Sequence, residues 1–134
     1  MTFYRKKVGD TAQARSMIAA AAADMSFATS LAVTEASATT IVRGVYENFR
    51  LLGNALLVAD GIETSDHTEM IGALLRLKVV TSRPLPVLDN LRRLRHNINY
   101  RGYKPSVAEA EDAISIAKAL FEPLNKEVLR QISS

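Results

Sequence analysis

The sequence predicts an all-α fold, a helical bundle of four main helices plus a short one. Three observations lead there. Apolar residues recur at three- and four-residue spacing, as in Ile41, Val45, Phe49, Leu52 and Leu56, which is one face of an α-helix. Helix start and stop signals separate such stretches: Asp10 with Gln13, Gly61, and Ser106 with Glu109. No segment alternates polar and apolar residues for long enough to make a convincing strand. The 134 residues suit one domain, and no repeat or low-complexity linker divides them, so residues 1–134 are read as a single unit.

The elements follow in order. Residues 1–9 read as an irregular arm. Asp10 offers an N-cap, with Gln13 completing a capping box, and the first helix runs from Thr11 to about Leu31. Its run Ala19 to Ala23 is slim enough for a neighbouring helix to come close. A longer second helix spans about Glu35 to Ala59, with Gly61 as its stop; Arg43, Glu47, Arg50 and Asn54 form its polar stripe. Thr64 or Ser65 caps a short third helix that buries Met70, Ile71, Leu74 and Leu75. Pro84 and Pro86 punctuate the next connection, and the fourth helix starts near Ser82 or Pro84 with Val87, Leu88, Leu91, Leu94 and Ile98 inward. The loop from Arg101 to Pro105 ends it. Ser106 and Glu109 box the start of the last helix, whose apolar face is Ala110, Ile114, Ala117, Leu120, Phe121, Leu124 and Val128. Pro123 is expected to kink this helix or end its regular part.

Composition narrows the chemistry. The chain has no cysteine, which removes disulfides, thiolate zinc sites and thiol nucleophiles and fits a reducing interior. Arg5, Lys6 and Lys7 precede the apolar run Met17 to Ala23, but Asp10 and Arg15 intervene and Asp24 closes it. That run is too short to span a bilayer, so the expectation is a cytoplasmic protein without a membrane role. Net charge is +3 and uneven: eight of the seventeen Lys and Arg lie between Arg76 and Lys104, with Asp89 the single acid among them. Such a stretch is either a solvated basic face or a surface for RNA or another anion.

Of the two histidines, His67 has Asp66 and Glu69 beside it, neither at one-turn spacing, and Glu63 falls in the preceding turn. A capping or packing role is expected for it, with no metal and no cofactor. There is no phosphate-binding glycine loop and no nucleophile elbow. The stretch Leu91 to Tyr103 stands out instead. Arg92 and Arg93 can project outward, whereas Arg95 lies four residues after Leu91 and three before Ile98, on or beside the buried face. A guanidinium there needs an acceptor: a carboxylate such as Glu47 of the long helix, a carbonyl, or a phosphate from outside. Asn99, one turn on, adds to the same patch. Tyr100 and Tyr103 either belong to it or seal the end of the bundle.

At these residues the chain resembles the HEPN superfamily (higher eukaryotes and prokaryotes nucleotide-binding). One stretch is Ile41 to His67, with Tyr46-Glu47-Asn48-Phe49, Ala55-Leu56-Leu57, Gly61 and Asp66-His67; the other is Leu94 to Tyr103. With the final helix they cover roughly the last hundred residues. The resemblance implies a symmetric dimer in which an Arg, and a His four to six residues beyond it, meet their copies in a cleft and cleave RNA without metal. Arg95 matches the Arg, four residues intervene, and Tyr100 occupies the histidine position. An unperturbed tyrosine, with a pKa of about 10, is a poor base at neutral pH. Other members of the superfamily that lack the full motif resemble partners of minimal nucleotidyltransferases, and their fold is that of a nucleotidyltransferase substrate-binding subunit.

The expectation is therefore a non-catalytic or weakened HEPN-like homodimer. It would bind RNA, a nucleotide or a minimal nucleotidyltransferase through a basic cleft carrying Arg92, Arg95, Asn99, Tyr100 and Tyr103. One alternative is a metal-independent endoribonuclease toxin, of a toxin–antitoxin or defence system, using Arg95 with His96 or Tyr100. The other is a plain helical dimerisation module whose basic stretch is only solvated.

Overall fold

In the computed structural model, residues 3–133 are described. The elements are β1 (Tyr4–Lys6), α1 (Thr11–Ser30), α2 (Ala38–Ala59), β2 (Ile62–Thr64), α3 (His67–Leu75), α4 (Val87–Arg101) and α5 (Val107–Ser133). The architecture is the all-α bundle expected, with the third helix as the short one. Among the described residues no helix is long and apolar enough to cross a membrane.

Helix α2 organises the bundle because its apolar residues surround more than one face. Ile41, Val42, Val45, Tyr46, Phe49, Leu52 and Ala55 are all fully buried, and α1, α3, α4 and α5 each pack against it. Phe49 meets Phe121 of α5 edge-on, with ring centroids 5.8 Å apart. The buried residues of α1 are Ala14, Ile18, Ala21, Met25 and Ala28. At the crossing of α1 and α2 the Ala28 methyl faces Gly44, so the small residues at this approach are Ala28 and Gly44 rather than the run Ala19 to Ala23, of which Ala19, Ala20 and Ala23 are exposed. One polar side chain is buried with them: Asn48 donates to the Asp24 carboxylate and to the Gly44 carbonyl, both at 2.9 Å.

Several boundaries differ from expectation for local reasons. The arm is not wholly irregular, because Tyr4–Lys6 pairs antiparallel with Ile62–Thr64 in the register Tyr4 to Thr64. Three residues are too few to show alternation, and the pairing is non-local. Ion pairs from Arg5 (2.9 Å) and Lys7 (3.0 Å) to Glu63 accompany it. The chain turns into β2 at Gly61 with φ 78°, where a Cβ would lie 1.7 Å from the Lys7 carbonyl oxygen. Asp10 accepts from the Gln13 amide at 2.9 Å, but its own N–H donates to the Val58 carbonyl, so only half of that capping box forms. Helix α2 starts at Ala38 rather than Glu35, because Thr34 and Ser37 exchange side-chain bonds with each other's backbone N–H. Helix α4 starts at Val87, since Pro84, Leu85 and Pro86 form a tight turn whose carbonyls accept three residues on. The Ser106–Glu109 box forms in full, at 3.0 and 3.1 Å. Helix α5 continues past Pro123 to Ser133, so the proline does not end it.

The contact of α2 with α3 is set by Gly53, where a Cβ would sit 2.0 Å from the Met70 carbonyl oxygen. Backbone cannot yield there as a side chain would. Gly53→Ala is expected to cost about 2 kcal/mol or more by urea unfolding; an unchanged midpoint would show that α3 is not seated through this contact.

Candidate functional site

The site begins with a requirement of the core. Tyr46 sits in the apolar face of α2, wholly buried, and its hydroxyl must find a partner there. The partner is His67 Nδ1, at 3.0 Å. His67 reaches it because it is the first residue of α3, placed by Asp66, whose carboxylate caps the helix by accepting from the Thr68 amide at 2.9 Å. The cap is thus Asp66 rather than Thr64 or Ser65, and His67 has a packing role and does not cap.

Helix α4 supplies the facing wall. Arg95 lies at the edge of the core as its spacing implied, with its guanidinium carbon 5.6 Å from the centre of the Tyr46 ring. It does not pair with Glu47. That carboxylate is taken by Arg50, three residues along α2, and Arg50 also points at the Met70 sulfur at 3.2 Å. Among the described residues no ion pair involves Arg95. Arg92 is held by Asp89 at 2.8 Å, and the same carboxylate reaches Arg93 at 3.2 Å. One turn along, His96 and Tyr100 pack with ring centroids 4.8 Å apart, and Tyr100 is 71% exposed.

These groups enclose a cleft of about 390 Å³ lined by Tyr46, Ser65, Asp66, His67, Thr68, Arg92, Arg95, His96 and Tyr100. Two hollows of similar size have less chemistry. The one between α1 and α5, about 440 Å³, has no histidine or arginine in its wall. In the one between α4 and α5, about 360 Å³, the single arginine, Arg83, is paired with Asp112 at 2.8 Å. Among the described residues no three His, Asp or Glu side chains gather in a way that would hold a metal ion.

Burial pushes the Tyr46 hydroxyl up to about 12, so it stays protonated and donates. Burial also holds the His67 imidazole below the usual histidine range, and the charges of Arg50 and Arg95 push the same way. His67 is accordingly neutral near pH 7. With Nδ1 accepting from Tyr46, its proton resides on Nε2.

Of the residues singled out in the sequence, Arg92, Arg95, His96 and Tyr100 come together. Arg95 and His96 both line the cleft although adjacent on the helix, because the cleft spans more than one helical row. Asn99 and Tyr103 do not join them. The Asn99 side chain accepts from Arg43 at 2.8 Å, tying α4 to α2, and Tyr103 donates to Glu109 at 2.6 Å at the start of α5. Tyr46 and His67 are the site residues that helical spacing missed. The available signal was a tyrosine in the middle of an apolar stripe, whose hydroxyl demands a partner from elsewhere. No family model matches the chain, and neither a curated protein nor a solved structure is significantly similar to it.

Because the folded His67 value lies below the unfolded value of about 6.5, the unfolded chain takes up the proton first as pH falls. The contribution of His67 to stability is therefore full above about pH 6.5 and is lost as pH falls through the window below it. Thermal melts from pH 7 to pH 5 should show a decline that is smaller in His67→Asn; parallel profiles would contradict this state of the imidazole.

Proposed function

We propose that this chain is a HEPN-like domain, non-catalytic or catalytically weakened, whose cleft holds a phosphate of RNA or of a nucleotide. The observation that carries the reading is Arg95: a guanidinium at the core edge, stacked on Tyr46, with no carboxylate paired to it among the described residues. A planar fork of donors left in that state suits a phosphate, which it can bind bidentately. Arg92 also lines the cleft, its charge offset in part by Asp89, and the exposed Tyr100 beside His96 offers a surface on which a base can stack. The resemblance of Leu94 to Tyr103 to the superfamily motif supports the same site. On this reading the protein works in the cytoplasm, as a homodimer or against a minimal nucleotidyltransferase, with the cleft at the interface.

A second reading, a metal-independent endoribonuclease, is favoured by one feature: two imidazoles, His67 and His96, line the cleft that holds Arg95. Such cleavage needs a proton acceptor and a donor near the scissile phosphate. Incubation with mixed RNA in EDTA separates the readings. Cleavage that is lost on Arg95→Ala would establish the enzyme, and intact RNA would leave the binding role.

The binding role is tested by fluorescence anisotropy with a labelled single-stranded RNA at two salt concentrations. Arg95→Ala is expected to weaken binding about tenfold or more and to flatten the salt dependence by about one phosphate contact. Equal affinities of wild type and variant would overturn the assignment.

A further inference from the structure

Arg95 and His67 face one space from different elements, α4 and the start of α3, and Tyr46 links them. Its ring lies under the guanidinium and its hydroxyl holds His67 Nδ1. That bond occupies one ring nitrogen and fixes the plane of the imidazole. Nε2, which carries the hydrogen, has no described partner and is the nitrogen left for a ligand.

We infer that His67 is the second cationic ligand of this anion seat, taking up a proton as a phosphate settles between it and Arg95. The inference rests on the phosphate-binding reading above. With only these side chains around it, the imidazole is neutral because it is half-buried and faces positive charge. From α2 it meets Arg50, whose partner Glu47 offsets part of that charge; from α4 it meets Arg95, with Arg92 and His96 further along the wall. Asp66, on its own helix cap, acts in the opposite sense. A bound phosphate brings negative charge into the middle of this set and reverses the balance, so the imidazolium becomes the favoured form. The added proton goes to Nδ1. The Tyr46 oxygen then accepts that N–H bond, since a hydroxyl accepts as well as donates, and its own hydrogen turns toward the anion. No covalent bond forms or breaks; one proton passes from solvent to His67.

Linkage fixes the sign. A group whose pKa rises on binding makes the complex tighter as pH falls, by up to about tenfold per pH unit between its free and bound values. The probes are a short oligoadenylate and the dinucleoside monophosphate ApA, whose diester groups do not titrate near neutrality. Calorimetry near pH 6.5, in two buffers of different protonation enthalpy, counts the protons. Wild type should take up most of one proton per site and lose affinity toward pH 8. His67→Asn, which keeps an acceptor for the Tyr46 hydroxyl, should still bind but with no uptake and a flat profile. In wild type, the NMR titration midpoint of the His67 ring should rise when oligoadenylate is added. Much tighter binding of oligoadenylate than of ApA identifies a strand as the ligand, and similar affinities identify a single nucleotide unit; linked uptake is expected with either. Binding that depends on Arg95 but carries no proton, or uptake that persists in His67→Asn and so belongs to His96, overturns the role of His67 and leaves the phosphate reading standing. Absence of binding by either probe overturns both.

Discussion

The structure depends on the burial of α2. A helix with apolar groups on more than one face must be covered on each of them, and here four other helices do so. Coverage by α1 needs small residues at the crossing, supplied by Ala28 and Gly44, and coverage by α3 needs the bare backbone of Gly53 under Met70. The positions of α3 and α4, and hence the space between them, follow from how they seat on this one helix.

Burial of α2 also accounts for the polar groups that matter. Two polar side chains that α2 carries into the interior find partners on other elements. Asn48 is met by Asp24 of α1, and Tyr46 is met by His67 of α3. Leaving either unpaired would cost roughly 1–3 kcal/mol, so these bonds select one arrangement of the helices among those the apolar faces allow. The Tyr46 bond has a further result: it carries a histidine to the rim, opposite an arginine that the same tyrosine ring supports from below. Structural satisfaction and the chemistry of the cleft share one hydroxyl.

Much of the fold was legible along the chain. The α2 stripe from Ile41 to Leu56, the complete Ser106–Glu109 box and the stop at Gly61 all express local rules, in which a residue's neighbours three and four positions away decide its environment. The misplaced boundaries at α2 and α4 arose where side-chain bonds or consecutive prolines won the competition for a turn. The β1–β2 ribbon was not legible, because its partners lie nearly sixty residues apart and each strand is only three residues long. The site divided in the same way. Arg95 at the core edge could be read from its spacing to Leu91 and Ile98. Its freedom from Glu47 could not, since that depended on Arg50 reaching the carboxylate first.

By itself, then, the sequence determined the helices, most of the inward faces of α2 to α5 and the crowding of basic residues on α4, because periodicity and capping act within one or two turns. Only the tertiary structure decided that His67 joins Arg95 while Asn99 and Tyr103 turn to other partners. Those outcomes hang on distances between helices, and the distances are set by packing on α2 rather than by spacing along the chain.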